Sequence, residues 1–494
     1  MSMTTPRPRT LVVGVGDHAI EAYRRLEALD EATAVGVLPA RDADRGIDAP
    51  LAGGPEDLES VIARERVERV LLAIPSAMHL LTASLTQRIE EASASAHWLA
   101  PLADTLAGRT GHAPGALDLS ALIGRRARPI DAALVREVVA GKRVLITGAG
   151  GSIGSEIARI VGAHDPEEVI LMERSENALF QIDRELGAAG VSRRPVLHDI
   201  VEPGRTRTLM GQLRPHAVFH AAAHKHVPMM ETHPGAAVTN NVFGTRSVLD
   251  GALEAGAERF VFVSTDKAVH PTSVMGATKR LAELYVRSRA RETATRCSLV
   301  RFGNVLGSAC SVLPIWDQEI ARGESITVTD ERMTRYFMTI PEAASLVIQS
   351  AAIPQGDEAG VYVLDMGDPI RIMDLAQRLL EQRGVANGVG ITLSGARPGE
   401  KLYEELAYST EQLDETSVPG VRSWAGRAPE RSAIDAMIER LDTVRSDAAP
   451  ERVIDELINC VPEMRRDLAQ GTPARVVTRG DFPNTSRTGT PHAA

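Results

Sequence analysis

The feature that most constrains this chain is a glycine-rich turn between an apolar strand and an amphipathic helix. The segment RVLITG predicts the strand, SEIARIVGA predicts the helix, and the turn between them reads Gly148-x-x-Gly151-x-x-Gly154. Glycines at this spacing permit a tight turn and a close approach of the backbone to a pyrophosphate, which the helix N-terminus then stabilises. The pattern therefore predicts a Rossmann-type α/β domain that begins near Gly141 and binds a dinucleotide.

Residues that follow the neighbouring strands complete the predicted cofactor site. Glu173 ends the strand EEVILME, where a carboxylate binds the ribose hydroxyls of NAD and repels the extra phosphate of NADP, whereas the adjacent Arg174 would do the reverse. NAD is therefore favoured as cofactor, with NADP as the alternative. Asp199 either accepts a hydrogen bond from the adenine amine or caps a helix. The predicted cofactor-binding residues are Gly148, Gly151, Ser152, Ile153, Gly154, Glu173, Arg174, Asp199, Ile200, Ala221, Ala222 and Lys279.

The residues before this domain predict a smaller α/β module. TLVVGVG reads as a strand and DHAIEAYRRLEAL as a helix, and the alternation that follows implies a parallel sheet. The turn Gly14-x-Gly16-x-x-Ala19 resembles a dinucleotide fingerprint, so the module either binds a nucleotide or is structural or regulatory. We expect an N-terminal Rossmann-like domain followed by a Rossmann-type domain with a small substrate-binding C-terminal part. The expected boundaries are 1–106 for the first domain, 107–140 for a connector with an arginine-rich surface segment at 124–128, 141–408 for the catalytic domain, 409–470 for a helical extension and 471–494 for a disordered tail.

Composition excludes several classes of protein. The formal net charge of -10 and the lack of a long basic run argue against a nucleic-acid partner. Cys297, Cys310 and Cys460 are too scattered for a disulfide framework or a metal site, so no metal is expected. The N-terminus, MSMTTPRPRT, lacks the apolar core of a signal peptide, and the most apolar stretch, residues 70–85, is too short to cross a bilayer. We therefore expect a cytoplasmic protein without a membrane span.

The segment STDKAVHPTSVMGATK, residues 264–279, carries the candidate catalytic groups. It follows the strand FVFV, and the carboxyl ends of strands in such a sheet face the ligand crevice. The chain has only five lysines among 55 basic residues, and Lys267 and Lys279 both lie here. A buried lysine can serve as a base, whereas arginine cannot. The alternative for Asp266 and Lys267 is a surface ion pair at a strand end.

So many motifs in one order support a resemblance to a known family. They are GKRVLITGAGGSIGSEIAR, HAAAHKHVPMMETHP, NNVFGT, STDKAVHPTSVMGATKRLAELY, RFGNVLGS, MTRYFMTIPEAA, MGDPIRIMDLA and GARPGEKLYEEL, which together span about residues 141–406. This part resembles the extended short-chain dehydrogenase/reductases, and within them the UDP-N-acetylglucosamine 4,6-dehydratase (capsular polysaccharide biosynthesis) family. The first domain resembles the nucleotide-binding segment of the longer, membrane-attached members.

The resemblance implies a lyase that oxidises a sugar at C4, eliminates water across C5–C6 and returns the hydride to C6. Met275 stands where most relatives have a catalytic tyrosine, which places the chain in a methionine-bearing branch. By similarity, Lys279 would hold the nicotinamide ribose and Thr265 would hydrogen-bond the C4 oxygen. Asp266 would protonate the departing C6 hydroxyl and Lys267 would take the C5 proton. The acceptor of the O4 proton stays open between Asp266, Lys267 and a water relay, as does the net direction in which burial and neighbouring charges shift the pKa of Lys267.

The resemblance also implies a UDP-sugar substrate and a homo-oligomer. Arginine suits a diphosphate because its guanidinium binds two oxygens at once. His224 borders the nicotinamide–sugar crevice together with its two neighbours, or else all three belong to a solvated loop. Ala309 and Cys310 replace the arginine and glycine usual in relatives, in a loop that touches substrate phosphates or a neighbouring subunit. The predicted substrate-binding residues are Lys225, His226, Asn241, Asn304, Arg301, Arg397 and Glu400.

Two other functions stay open from the sequence. The first is a sugar-nucleotide epimerase, although a simple C4 epimerase would want the tyrosine that Met275 replaces. The second is a non-catalytic sensor of UDP-sugars, against which the intact Asp266, Lys267 and Lys279 argue.

Overall fold

The chain divides into two compact units, Met1–Asp118 with Leu379–Val385, and Leu119–Arg378 with Ala386–Ala494. The structure is a computed structural model, and it describes residues 7–28, 32–41, 46, 48–74, 81, 85, 88–89, 91–99, 119–125, 127–356, 358–385, 389–465 and 475–477. In this part of the chain, no helix has the length and apolar character that a membrane span requires.

The first unit contains a four-stranded parallel sheet in the order β2-β1-β3-β4. A Cβ atom on Gly14 would lie 2.5 Å from the carbonyl oxygen of Ala73 and 2.8 Å from the Cβ of Ala19. Glycine is therefore required there because strand, turn and helix pack closely. The elements are β1 Arg9–Gly14, α1 Gly16–Ala28, β2 Thr33–Pro39, α2 Leu58–Glu65, β3 Arg69–Ala73 and β4 Ser95–Trp98.

The second unit is built on a nine-stranded sheet, in the order β18-β19-β15-β10-β9-β8-β5-β6-β7. The strands from β15 to β7 are parallel, and β19 and β18 add antiparallel at one edge. Other strands of this unit form three small sheets, β11-β14, β12-β17-β20 and β13-β16. The strands of the unit are β5 Arg143–Thr147, β6 Glu168–Glu173, β7 Arg193–Leu197, β8 Ala217–His220, β9 Arg259–Val263, β10 Arg296–Arg301, β11 Asn304–Leu306, β12 Ile326–Val328, β13 Thr334–Arg335, β14 Phe337–Thr339, β15 Gly360–Leu364, β16 Ile370–Arg371, β17 Ile391–Leu393, β18 Asp414–Glu415, β19 Val421–Trp424 and β20 Arg475–Val477.

Helices cover both faces of this sheet because its strands are apolar on both sides. The helices are α3 Leu119–Ile123, α4 Ala132–Val139, α5 Ser152–Gly162, α6 Glu176–Ala188, α7 Pro203–Leu213, α8 Val227–Thr232, α9 Pro234–Ala237, α10 Gly244–Glu254, α11 Val274–Ala290, α12 Val312–Ala321, α13 Ile340–Ser350, α14 Ile372–Gln382, α15 Arg431–Val444 and α16 Pro450–Cys460. Along β5, Val144 and Ile146 pack with α4, α5, α6 and α13 on one face of the sheet. Leu145 lies on the opposite face and packs in the core with α7, α10, α11, α15 and α16.

The strand order creates a crevice at the carboxyl end of β5. The chain passes from β5 to β6 and β7 on one side, and then crosses back to β8 on the other side of β5. The direction of the strand order therefore reverses at β5. Ligands of open α/β sheets bind at such switch points. The glycine-rich turn follows β5, which is the position that the sequence predicted for it.

Within the predicted helical extension, 409–470, the structure describes residues 409–465, which contain the helices α15 and α16 together with the strands β18 and β19. Strand β19 pairs antiparallel with β15 and so belongs to the main sheet. Helices α15 and α16 pack on α11, where Ile434, Ile438 and Leu441 are buried in the same core as the strands. The apolar positions of these helices therefore complete the catalytic unit.

Two segments outside the main elements make contacts that the sequence did not indicate. In the arginine-rich stretch 124–128, Gly124 and Ala127 are exposed, but Arg125 Nη1 lies 2.8 Å from Oε1 of the buried Glu342. Arg128 lies 2.6 Å from Asp365. In the predicted disordered tail, Arg475–Val477 forms β20 and pairs antiparallel with β17. Residues 107–118 and the rest of 471–494 lie outside the described residues.

Candidate active site

The glycine turn brings the main chain of two strands into contact. Gly148 has a positive φ of 66°, and a Cβ atom there would lie 2.8 Å from the Cα of Ala222. A Cβ atom on Gly154 would collide with the carbonyl oxygen of Gly148. Helix α5 begins after Gly151 without a hydrogen bond from a capping side chain. The first turn of this helix can therefore present its N–H groups to an anion in the adjoining cleft.

A first cleft, which we call the dinucleotide cleft, lies at this turn and has a volume of about 180 Å³. Glu173 joins its two sides, because Oε2 accepts a hydrogen bond from Gly150 N at 3.2 Å and Oε1 accepts one from Ser175 N at 3.0 Å. The cleft is lined by Gly148, Gly151, Met172, Glu173, Arg174, His198, Asp199, Ile200, Ala221, Ala222, Ala223, His224 and Asn240. Eight of the predicted cofactor residues are among them, and the sequence reasoning missed Met172, His198, Ala223 and Asn240 as lining groups.

Arg174 and His224 meet across β5. Arg174 Nη2 donates a hydrogen bond to Nε2 of His224 at 2.7 Å, and burial together with the guanidinium lowers the pKa of that histidine. Asp199 Oδ2 lies 4.0 Å from Arg174, while its Oδ1 accepts a hydrogen bond from Val201 N. Asp199 therefore lines the cleft and stabilises the turn after β7. The alternative of a helix cap is wrong, because the residue that precedes α7 as its N-cap is Glu202.

The candidate catalytic segment leaves β9 and enters a short 3₁₀ turn, Asp266–Ala268. Thr265 caps this turn, and the N–H of Asp266 donates to the carbonyl oxygen of Phe302 on the neighbouring chain segment. Ser264 donates to Glu283 Oε1 at 2.7 Å. The main chain is thus fixed on both sides of Asp266, which orients its side chain.

Asp266 and the partly buried Lys267 form a hydrogen-bonded pair. Asp266 is fully buried, and its Oδ1 accepts hydrogen bonds from Lys267 Nζ at 2.9 Å and from Thr265 Oγ1 at 2.9 Å. Its Oδ2 has no hydrogen-bond partner among the described residues. Lys267 Nζ also donates to Asn304 Oδ1 at 3.1 Å. The burial of Asp266 rules out the alternative of a solvated surface ion pair.

The structure also gives the direction in which the pKa of Lys267 is shifted. Burial lowers this pKa and Arg335 adds to that effect, but the carboxylates of Asp266 and Glu404 raise it, and the net pKa lies above the ordinary value. Lys267 is therefore an ammonium ion in the ligand-free protein. Any role as a base requires a change in its surroundings.

Met275 and Lys279 lie on α11 behind the catalytic turn. Met275 is buried in the core cluster and has no group that exchanges a proton. Lys279 Nζ donates to the carbonyl oxygen of Val263 at 2.7 Å and lies 3.8 Å from the centroid of the Phe262 ring. Burial lowers the pKa of Lys279 to about 7. Neither residue is among those that line the two described cavities.

A second cavity of about 190 Å³, which we call the cationic cavity, lies beside the Asp266–Lys267 pair. Five basic side chains and two carboxylates line it, and Arg397 Nη2 is paired with Glu400 Oε1 at 2.7 Å. The lining residues are Lys225, His226, Val227, Pro228, Lys267, Thr272, Ser273, Asn304, Arg335, Arg397, Gly399, Glu400, Lys401 and Glu404.

Five of the predicted substrate residues line the cationic cavity, namely Lys225, His226, Asn304, Arg397 and Glu400. The sequence reasoning missed Arg335, Lys401 and Glu404. All three lie in motifs that carried the family resemblance, MTRYFMTIPEAA and GARPGEKLYEEL, so their charged side chains were a usable signal.

Two predicted substrate residues are corrected. Arg301 is fully buried and pairs at 2.7 Å with Glu283 and with Glu411, so it holds elements of the fold together. Asn241 is also buried, and its amide exchanges hydrogen bonds with both main-chain groups of His224 and donates one to Thr278. Asn241 thus positions the loop after β8 instead of contacting substrate.

The loop that departs from the family pattern connects the two cavities. Ala309 N donates to Ser152 Oγ at 3.0 Å, at the start of α5, and Ala309 O accepts from Lys225 Nζ at 2.9 Å. Cys310 is exposed and has a positive φ of 55°. The loop therefore lies between the dinucleotide cleft and the cationic cavity, where a change of sequence can alter both.

Comparisons with known proteins agree with this arrangement. Residues 144–424 match the family model described as "Polysaccharide biosynthesis protein". The chain is 40% identical over 415 residues to the capsular polysaccharide biosynthesis protein CapD of Staphylococcus aureus, covering 81% of this chain and 69% of that protein. It is 31% identical over 276 residues to UDP-N-acetylglucosamine 4,6-dehydratase (inverting) of Campylobacter jejuni, covering 55% of this chain and 79% of the relative.

Two further similarities concern an epimerase and a solved structure. A UDP-glucose 4-epimerase of Rickettsia canadensis is 32% identical over 277 residues, which cover 55% of this chain and 79% of the relative. The X-ray structure of Pen from Bacillus thuringiensis superposes with a TM-score of 0.55 at 34% identity, over 60% of this chain and 92% of that one.

Proposed function

The chain belongs to the polysaccharide biosynthesis protein family, and we propose that it is an NAD-dependent 4,6-dehydratase of UDP-N-acetylglucosamine. The product would be a UDP-4-keto-6-deoxy-N-acetylhexosamine. The observation that carries this proposal is the hydrogen-bonded pair of the buried Asp266 with Lys267, which lines the cationic cavity. An acid and an amine in hydrogen-bonding contact are the two groups that an elimination across C5–C6 needs.

The charge of the second cavity supports a nucleoside diphosphate sugar as substrate. Five basic side chains against two carboxylates leave a net positive lining, and Arg397 offers a guanidinium that can bind two phosphate oxygens. The relative from Campylobacter jejuni is named as a dehydratase of UDP-N-acetylglucosamine.

The dinucleotide cleft fits NAD as the cofactor. The close approach of Gly148 to Ala222 leaves no room for side chains at the turn, and the uncapped start of α5 suits a pyrophosphate. Glu173 supplies a carboxylate for the ribose hydroxyls, with Arg174 as the group that would accommodate NADP. When bound, NAD supplies the hydride acceptor for C4 and returns the hydride to C6.

Elimination requires Lys267 to be a neutral amine and Asp266 to be a carboxylic acid. One proton transfer along their 2.9 Å hydrogen bond produces both, because the resting pair is an ammonium and a carboxylate. The amine then takes the C5 proton while the acid protonates the leaving C6 oxygen, and water departs. After this step the pair is again an ammonium and a carboxylate, so the protons of the elimination balance. When the hydride returns to C6, the Lys267 ammonium gives a proton back to C5. The proton that O4 released during oxidation at C4, passed on through water, then restores the ammonium, so the whole cycle balances.

The remaining groups orient the sugar and hold charge. Thr265 lies beside Asp266 and is proposed to hydrogen-bond the C4 oxygen. Lys279 is proposed to contact the nicotinamide ribose through an N–H group other than the one that it donates to the Val263 carbonyl. Met275 packs in the core behind the catalytic turn and exchanges no protons.

The second candidate function is a UDP-sugar 4-epimerase, which the Rickettsia canadensis relative supports. The apolar Met275 disfavours it, because a simple epimerase needs a proton-transferring group at this position to act on O4. Neither epimerisation nor binding alone requires a buried acid–amine pair.

Incubation of the purified chain with NAD and UDP-N-acetylglucosamine tests the proposal by mass spectrometry and NMR. A dehydratase gives a product lighter by one water with a C4 ketone. A product of unchanged mass with an axial C4 hydroxyl would establish the epimerase instead. Tight binding of the UDP-sugar without any turnover would establish a sensor.

A further inference from the structure

Glu404 reaches the Asp266–Lys267 pair from a distant part of the sequence. Its side chain is almost fully buried, and its Oε1 lies 3.7 Å from Lys267 Nζ. The same Oε1 lies 3.7 Å from Arg335 Nε, and Oε2 lies 3.9 Å from Lys401 Nζ. Oε2 has no hydrogen-bond partner among the described residues. One carboxylate is thus shared by three cations without a close hydrogen bond to any of them.

The segment that carries Glu404 is held firmly against the catalytic segment. Thr272 Oγ1 donates to the carbonyl oxygen of Gly399 at 3.0 Å. Lys401 Nζ donates to the carbonyl oxygen of Val269 at 2.7 Å. Beyond Glu404, Tyr408 donates to the carbonyl oxygen of Ala268 at 3.1 Å. These contacts fix the distance between the Glu404 carboxylate and Lys267.

We propose that Glu404 is a positioning residue that, together with Asp266, holds Lys267 as an ammonium ion until substrate binds. Lys267 then becomes a base only by giving its proton to Asp266 in the complex. The proposal rests on the proposed function for this last step, but the charge state of the free protein does not depend on it.

The charges around Lys267 explain why Glu404 has this effect. Asp266 precedes Lys267 in the chain, and Arg335 ends β13. Lys401 and Glu404 lie on the segment after Gly399, which the hydrogen bonds described above hold against residues 268–272. Three cations therefore meet two carboxylates. Without the Glu404 charge, Lys267 would share one carboxylate with two other cations, and its ammonium form would lose its second source of stabilisation. Glu404 and Asp266 are also the groups that raise the pKa of Lys267.

The small number of lysines makes a direct test possible. The chain has five lysines, so protein labelled with ¹³C at the lysine Cε gives at most five signals, and the signal lost in Lys267→Arg identifies Lys267. We expect Glu404→Gln to lower the pH midpoint of that signal by about one unit, a tenfold change in the protonation equilibrium. The matched control is Glu405→Gln, whose carboxylate instead contacts His270. The midpoint should not move in the control.

An unchanged midpoint in Glu404→Gln overturns the proposal, as does an equal shift in both variants. If Glu404→Gln does not fold, Glu404→Asp decides, because its shorter side chain withdraws the carboxylate and must lower the midpoint by a smaller amount. A shifted midpoint in a protein that does not dehydrate UDP-N-acetylglucosamine would refute the proposed function and leave the assignment of Glu404 intact. If the protein dehydrates UDP-N-acetylglucosamine but the midpoint of Lys267 does not move in Glu404→Gln, the proposed function stands and the assignment of Glu404 is refuted.

Discussion

Two guanidinium nitrogens of Arg301 each donate a hydrogen bond of 2.7 Å to a different carboxylate oxygen of Glu283, and both side chains are completely buried. The third guanidinium nitrogen binds Glu411. Glu283 also accepts a hydrogen bond from Ser264, which lies directly before the candidate catalytic segment Thr265–Lys267. The Arg301–Glu283 pair therefore links the end of β10 to α11, and the hydrogen bond from Ser264 adds the segment after β9. Arg301 stabilises the site without lining it.

Replacing Arg301 should cost stability and leave ligand recognition in place. We expect Arg301→Ala to lower the free energy of unfolding by about 3–5 kcal/mol, because Glu283 and Glu411 would then be buried without their partner. Urea denaturation measures the loss, and Arg159→Ala is the control. That arginine forms exposed pairs with Glu156 and Glu185, for which about 0–1 kcal/mol is expected. Equal losses in both variants would contradict the structural role.

The second prediction concerns the glycine turn. In Gly148→Ala the new Cβ atom would lie 2.8 Å from the Cα of Ala222, and the positive φ adds strain, so we expect dinucleotide binding to be lost. Gly190→Ala is a matched control, because Gly190 also has a positive φ but open space around its Cα. NADH fluorescence titration compares them. Unimpaired binding by Gly148→Ala would show that the turn does not receive the cofactor.

The third prediction separates chemistry from binding at Lys267. We expect Lys267→Met to keep NAD affinity and to reduce kcat for dehydration by roughly 10²–10⁴-fold, the range typical of a lost acid–base group. Lys142→Met removes another of the five lysines, one whose contact is an ion pair with Glu258. That variant should turn over normally. Full activity of Lys267→Met, measured by release of the keto product, would refute its role as the C5 base.

Much of the fold was predictable because its determinants are local. Apolar strands, amphipathic helices and the Gly148–Gly154 turn lie within about twenty residues of each other, and the structure places them as the sequence indicated. The extra strand β19 was missed because the pairing of Val421–Trp424 with β15 brings together segments distant in sequence. Periodicity in one segment carries no information about a partner so far away.

The site was predictable only where a residue type and its position on a strand end pointed the same way. Asp266 and Lys267 met that condition, and the structure brings them together at 2.9 Å. Glu404 did not, because its distance from Lys267 depends on how the segment after Gly399 folds back. Arg301 was misassigned because an arginine at the end of a strand looks the same in sequence whether it binds a phosphate or a buried carboxylate.

The last prediction concerns the stability cost of Lys279. Burial lowers its pKa from 10.5 to about 7, so in the pH range between these values the unfolded chain carries a proton on this lysine that the folded protein does not. The penalty for burying it is therefore full below pH 7, shrinks as the pH rises, and vanishes above pH 10.5. The gap between the two pKa values corresponds to about 4–5 kcal/mol of stability as an upper bound.

Lys279→Met should thus raise the free energy of unfolding at pH 7 and give little benefit at pH 10. Urea denaturation at both pH values tests this, with Lys142→Met as the control, and a gain that does not depend on pH would mean that packing and not charge is responsible. A lysine retained at such a cost fits a role toward a ligand, since a buried methionine would serve the fold better.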